Sequence, residues 1–152
     1  MITFYEVVKF VHVVMAIVAV GFNLSYGILL SRAAREPQHQ LHVLQTVKVL
    51  DDRFANPAYG LLLVTGLLNV FTSPLEITEF WILAGLILFI LLTLGAAIGY
   101  TPTLRKQIAA LEAHGPQSLE YTRLARRSTR IAVVLTVVVI GVVFLMVTKP
   151  TL

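Results

Sequence analysis

Four long apolar runs decide what this chain can fold into. Val7–Ser31, Pro57–Phe71, Phe80–Tyr100 and Ile131–Val147 contain one Asp, Glu, Lys or Arg between them, Lys9. Crossing about 30 Å of hydrocarbon takes roughly 20 apolar residues. Three of the runs come close to or exceed that length, and the second can be extended at either end. With 57% of the 152 residues hydrophobic and 13% charged, too little polar surface remains to face water all round, so the bilayer is the expected solvent. The first run is too long for the apolar part of a secretory signal, and no basic segment precedes it. It is therefore read as a span. The expected fold class is all-α, a single-domain polytopic membrane protein forming an antiparallel bundle of four transmembrane helices. The expected spans are about 4–33, 56–72, 79–101 and 129–148, with cytoplasmic amphipathic segments at 38–55 and 103–128.

Charge placement sets the expected orientation. Arg32, Arg35, Lys48 and Arg53 lie between the first and second spans. Arg105, Lys106, Arg123, Arg126, Arg127 and Arg130 lie between the third and fourth. The connection Thr72–Glu79 has no Lys or Arg and carries Glu76 and Glu79. By the positive-inside rule both termini and this short loop face outward, and the two basic loops face the cytoplasm. The net charge of +4 is thus a topology signal that also suits contact with anionic lipid headgroups. It does not point to a nucleic-acid partner. The absence of cysteine excludes disulfides, thiolate metal sites and cysteine nucleophiles.

Punctuation along the chain predicts the helices. The first starts near Thr3, runs past Ser31 into Arg35 and stops before Pro37. Leu41, Leu44, Val47, Leu50 and Phe54 recur at helical spacing, with His42, Gln45, Lys48, Asp51 and Asp52 on other faces. Asn56-Pro57 reads as a helix start with Asn56 as cap, or as a proline kink inside one continuous helix. Phe80 and Trp81 suit the outer headgroup level, and Tyr100 ends the third span on the inner side. A short helix is expected over Leu104–His114. Gly115-Pro116 is a break, and Ser118 caps a last helix running unbroken to about Lys149.

The first run carries the candidate site. Lys9, His12, Ala16, Ala19, Asn23 and Tyr26 are spaced by three and four residues and form one stripe, and intramembrane polar residues are expected to look into the bundle. The alanines leave room for either a closely packed helix or a flat ligand. His12 is the only histidine within a span, since His39, His42 and His114 lie in the loops. Two readings of it are open: a hydrogen bond to a neighbouring helix, or a haem-iron ligand or proton relay. Lys9 either snorkels to the headgroups, with Glu6 as partner, or offers a cation to a propionate. Asn23, Asn69 and Tyr26 are expected to bridge helices. Met146 is either packing or a second axial ligand. Gly95 and Gly99 form a small-xxx-small pair for close contact within the bundle, with a homo-oligomer or with a larger membrane complex. No run contains a carboxylate and no inverted repeat is visible, so transport by this chain alone is not expected.

Lys9-Phe-Val-His12, Asp52-Arg53-Phe-Ala-Asn-Pro57, Gly99-Tyr-Thr-Pro-Thr-Leu-Arg105 and Leu145-Met-Val-Thr-Lys-Pro150 resemble, in order and placement, domain-of-unknown-function family 2269. These are four-span integral membrane proteins, mostly of bacteria, so the resemblance implies the cytoplasmic (inner) membrane. A more distant likeness, Lys9-x-x-His12 with a basic exit at Arg32 and an early proline in the second span, is to HemJ-type protoporphyrinogen oxidases and CopD-like membrane proteins. It implies b-type haem bound through His12. The chain departs from that pattern at Ala19, where those proteins carry tryptophan. It also lacks their later basic residues within the third and fourth spans. The functional expectation is haem b on His12 in a redox or haem-related role, with Lys9, Ala16, Ala19, Asn23 and Met146 around it. The alternative is a non-catalytic accessory subunit or assembly factor of a larger membrane complex.

Overall fold

The computed structural model describes residues 2–74 and 76–150. Among these there is no strand, and four helices are long and apolar enough to cross a membrane: Phe4–Ala33, Pro37–Phe71, Phe80–His114 and Leu119–Thr148. Helix α1 (Phe4–Ala33) opens with a capping box. The Thr3 hydroxyl accepts from the Glu6 amide at 3.3 Å, and the Glu6 carboxylate accepts from the Thr3 amide at 2.8 Å. Two amides with no helical partner are satisfied this way. Glu6 is thereby taken up by Thr3, and Lys9, its expected partner, lies over the Tyr5 ring at 5.7 Å.

The second helix is continuous from a 3-10 turn at Pro37–His39 through α2 (Gln40–Leu50), a π-helical turn at Asp51–Ala55 and α3 (Asn56–Phe71). Asn56 has helical angles, φ −62° and ψ −45°, so it caps nothing, and the kinked continuous helix is the reading that holds. The third helix repeats the device: α4 (Phe80–Leu94), a π turn at Gly95–Tyr100, then α5 (Thr101–His114). Each π turn ends two residues before a proline, Pro57 and Pro102. Asn56 donates to the Asp51 carbonyl and Thr101 to the Ala96 carbonyl, five residues back in both cases. A proline inside a helix has no amide and clashes with the carbonyl four residues earlier. Widening the turn by one residue moves that carbonyl aside, so neither helix breaks. At 35 residues and 1.5 Å per residue, each middle helix is about 52 Å long and outreaches the hydrocarbon. Gly115, at φ 74°, closes α5 in a conformation that only glycine adopts without strain. Ser118 then caps α6 (Leu119–Thr148), accepting from the Tyr121 amide at 3.2 Å.

The helices associate as two pairs, α1 along α3 and α4 along α6, joined mainly where α2 meets α5. Small residues set the α4–α6 distance. A Cβ on Gly95 would stand 2.9 Å from Leu135 Cδ2, one on Gly85 2.5 Å from Met146 Cε, and one on Gly99 3.7 Å from Ile131. The Gly95/Gly99 face is therefore used inside the chain. The tightest packing lies at the end bearing the basic connections, where Leu44 is 2% exposed and Val47 and Leu104 are 0% exposed. Phe10, Ile17, Leu24 and Ile28 on α1, and Val137, Ile140, Phe144 and Val147 on α6, point outward, as lipid-facing side chains do.

The buried face of the second helix differs from the expected one. Gln40, Leu44, Val47, Asp51, Ala55 and Ala58 are buried, whereas Phe54 is exposed. The stripe is turned relative to Leu41, Leu44, Val47, Leu50 and Phe54, and it carries Asp51 into the interior. Tyr100, expected to end the third span on the inner side, is also buried, at 6% exposed.

Candidate functional site: two polar constellations between the helices

The first constellation joins α1 to α3. His12 Nδ1 lies 2.9 Å from Thr65 Oγ1, and Thr65 is buried. The Thr65 hydroxyl sits 2.6 Å from the Leu61 carbonyl four residues back. A carbonyl only accepts, so the hydroxyl proton goes to Leu61, and the hydroxyl oxygen must accept from His12. That assigns the proton of the neutral ring to Nδ1 and leaves the lone pair on Nε2. Gly66 provides the space: a Cβ there would come within 3.2 Å of His12 Cε1. His12 itself is half-buried, so the ring is not sealed from its surroundings.

Seven residues after His12, Ala19 is 1% exposed, and its carbonyl accepts from Asn23 Nδ2 at 2.9 Å. The same Asn23 amide nitrogen donates to the Tyr59 hydroxyl on α3. Tyr59 in turn meets Phe89 of α4 edge-on, with ring centroids 6.1 Å apart. Of the two roles open to the alanines, close helix contact is the one the structure shows at Ala19. Lys9 is exposed and points out of the stripe. Met146 lies with its methyl on Gly85, in the α4–α6 seam. The structure thus brings His12, Ala19 and Asn23 together against α3, and it places neither Lys9 nor Met146 in that group. Asn69, expected as a bridge, has its Oδ1 buried without a hydrogen-bond partner. Among the described residues, no three His, Asp or Glu side chains gather anywhere in the fold.

The second constellation sits at the basic end and draws on both pairs. Asp51 opens the first π turn, Tyr100 closes the second, and Tyr26 reaches in from α1. They are 8%, 6% and 6% exposed. Tyr26 lies within electrostatic range of Asp51, Tyr100, Tyr59 and Asp52, and Tyr100 within range of Asp51. Asn56 and Thr101 stand beside the Asp51 carboxyl. Even so, Asp51 Oδ2 and the hydroxyls of Tyr26 and Tyr100 are buried with no hydrogen-bond partner. Asp52 is paired with Lys48.

Thr65, Gly66 and Tyr59 were not singled out from the sequence, because a lone Thr or Gly in an apolar run carries no pattern. Only the pairing of α1 with α3 reveals them. Asp51 was set on a solvated face, and the 4-3-4-4-3 spacing of Gln40, Leu44, Val47, Asp51, Ala55 and Ala58 is the signal that could have found it.

No curated protein and no solved structure matches the chain. The model of the family described as a predicted integral membrane protein (DUF2269) matches residues 6–150, and the chain belongs to that family.

Proposed function

We propose that this integral membrane protein binds b-type haem through His12 in a redox or haem-related role. The observation that carries the reading is the Leu61–Thr65–His12 chain, in which Nδ1 donates to the Thr65 hydroxyl and the lone pair falls on Nε2, with the Leu62 carbonyl also beside the ring. Ligating histidines characteristically donate their other ring nitrogen in this way, which fixes tautomer and ring orientation. Because among the described residues His12 belongs to no group of three His, Asp or Glu, it is suited to haem rather than a bare ion: the macrocycle brings four nitrogens and asks the protein for one or two. The fit is to ligation rather than enclosure, since the seam between α1 and α3 is closed at Ala19. Thr65 would hold the imidazole, and Lys9 would pair with a propionate. Haem supplies one-electron chemistry when bound. In this reading the protein lies in a bacterial inner membrane, with its termini outside and its basic connections in the cytoplasm.

The protein purified after expression with ample haem is expected to show a Soret band that His12→Ala removes. A wild-type protein with no Soret band overturns the reading, and a His12→Ala protein that keeps full haem moves the ligand elsewhere. A second reading rests on the incompleteness of the set, one candidate axial ligand with Met146 committed elsewhere: an accessory subunit or assembly factor of a larger complex, whose partner completes the site. Mass determination after mild solubilisation tests it, and a lone monomer counts against it.

A further inference from the structure

We infer that Asp51, Tyr26 and Tyr100 form a binding site for one monovalent cation between the two helix pairs. Three oxygens from three separate chain segments belong to residues within electrostatic range of one another, each residue more than nine-tenths buried and each oxygen without a partner. Leaving such groups unsatisfied costs about 1–3 kcal/mol apiece, more for a charged one. None of the three oxygens hydrogen-bonds another, so a bridging species is called for.

Charge identifies that species. Two carboxylates, Asp51 and Asp52, face one ammonium, Lys48, which is held by Asp52. Asp51 is left without a cation of its own, burial and the neighbouring Asp52 disfavour its charged form unless a positive charge sits beside it, and Tyr26, Tyr59, Tyr100, Asn56 and Thr101 around it are all neutral. A buried carboxylate persists as such when a positive charge compensates it. A single positive charge restores neutrality, whereas a divalent ion would leave an excess and prefers more carboxylates. The backbone is suited to the task. Pro57 and Pro102 donate no amide to the preceding turns, so carbonyls in both π turns lack their usual partners. Interrupted helices in membranes use freed carbonyls of this kind to hold alkali cations. An ion held here would tie α1 and the second helix to the third, joining the two pairs where they meet.

The test uses the whole protein in detergent. Its thermal midpoint is measured in sodium chloride, potassium chloride and choline chloride at equal ionic strength and pH. A saturable rise in sodium or potassium over choline is expected, and Asp51→Asn should abolish it. Tyr26→Phe and Tyr100→Phe should each weaken the apparent affinity by about tenfold, the value of one lost contact to a bound ion. Isothermal titration of wild-type protein with sodium chloride provides a readout that needs no variant to fold. Equal midpoints in all three salts with no binding heat overturn the proposal, as does a cation effect that survives in Asp51→Asn. If water alone fills the site, wild type is indifferent to the salt and Asp51→Asn is the more stable protein, which also overturns it.

Discussion

The two ends of the bundle handle polar groups in opposite ways. Toward the termini, His12 finds Thr65, Thr65 finds Leu61, and the whole chain of hydrogen bonds stays within the α1–α3 pair. At the basic end, Asp51, Tyr26 and Tyr100 come from both pairs and leave three buried oxygens unanswered. Apolar packing follows the same division. Lipid tails are as apolar as leucine, so burying an apolar side chain between spans gains little within the hydrocarbon. Where α2 and α5 reach beyond it, burial removes apolar surface from water and stabilises outright. Leu44, Val47 and Leu104 are sealed at that end, and Ile17, in the first span, is 67% exposed. One end is thus held by packing and carries most of the unsatisfied polar groups, and the other is held by a few directed bonds with Asn69 Oδ1 the group left over.

The sharpest way to break this contrast is to delete equal amounts of side chain at each end. Leu104→Ala is expected to cost about 2–5 kcal/mol in reversible unfolding from detergent, the range for a fully buried leucine. Ile17→Ala, facing lipid, is expected to stay within about 0.5 kcal/mol of wild type. Equal losses at both positions would mean that packing is uniform along the bundle.

The spans and the inward stripe of α1 were legible because each rests on a property of consecutive residues: run length for the spans, and three-four spacing for His12, Ala19, Asn23 and Tyr26. The basic-end site was not. Leu41, Leu44, Val47, Leu50 and Phe54 form a convincing apolar stripe, and choosing it consigned Asp51 to water. The structure favours Gln40, Leu44, Val47 and Asp51 because their line continues through the small residues Ala55 and Ala58, letting α1 approach. The π turns were also hidden. Asn56-Pro57 and Thr101-Pro102 mark a stop in water, whereas in a membrane a broken helix strands more backbone groups than a widened turn does. The partner of His12 could not be read either, since it depends on which helix pairs with α1.

The directed bonds at the other end are tested by Thr65→Val, which keeps the shape and removes the hydroxyl. The His12 Nδ1 proton then loses its acceptor, and about 1–2 kcal/mol is expected to be lost. Combined with His12→Phe in a double-mutant cycle, the coupling between the two positions should be about 0.6 kcal/mol and at most about 1.7. A coupling of zero would remove the tautomer assignment, and with it the ground for a lone pair on Nε2.

The smallest effect is expected at Tyr59→Phe, which sharpens the comparison from within the same pair. The Tyr59 hydroxyl receives a bond from Asn23, as Thr65 receives one from His12. The donor left behind differs, however, because the Asn23 amide nitrogen also bonds the Ala19 carbonyl. The nitrogen keeps one of its two bonds, and the phenyl ring keeps its edge-on contact with Phe89. About 0.6 kcal/mol or less should be lost, measured in the same detergent unfolding as Thr65→Val. If Tyr59→Phe proves as costly as Thr65→Val, the number of bonds decides the energetics at this end. If it proves clearly cheaper, what decides them is whether a deletion leaves a buried group with nothing to pair with, and the unanswered oxygens of Asp51, Tyr26 and Tyr100 then demand an occupant for the same reason.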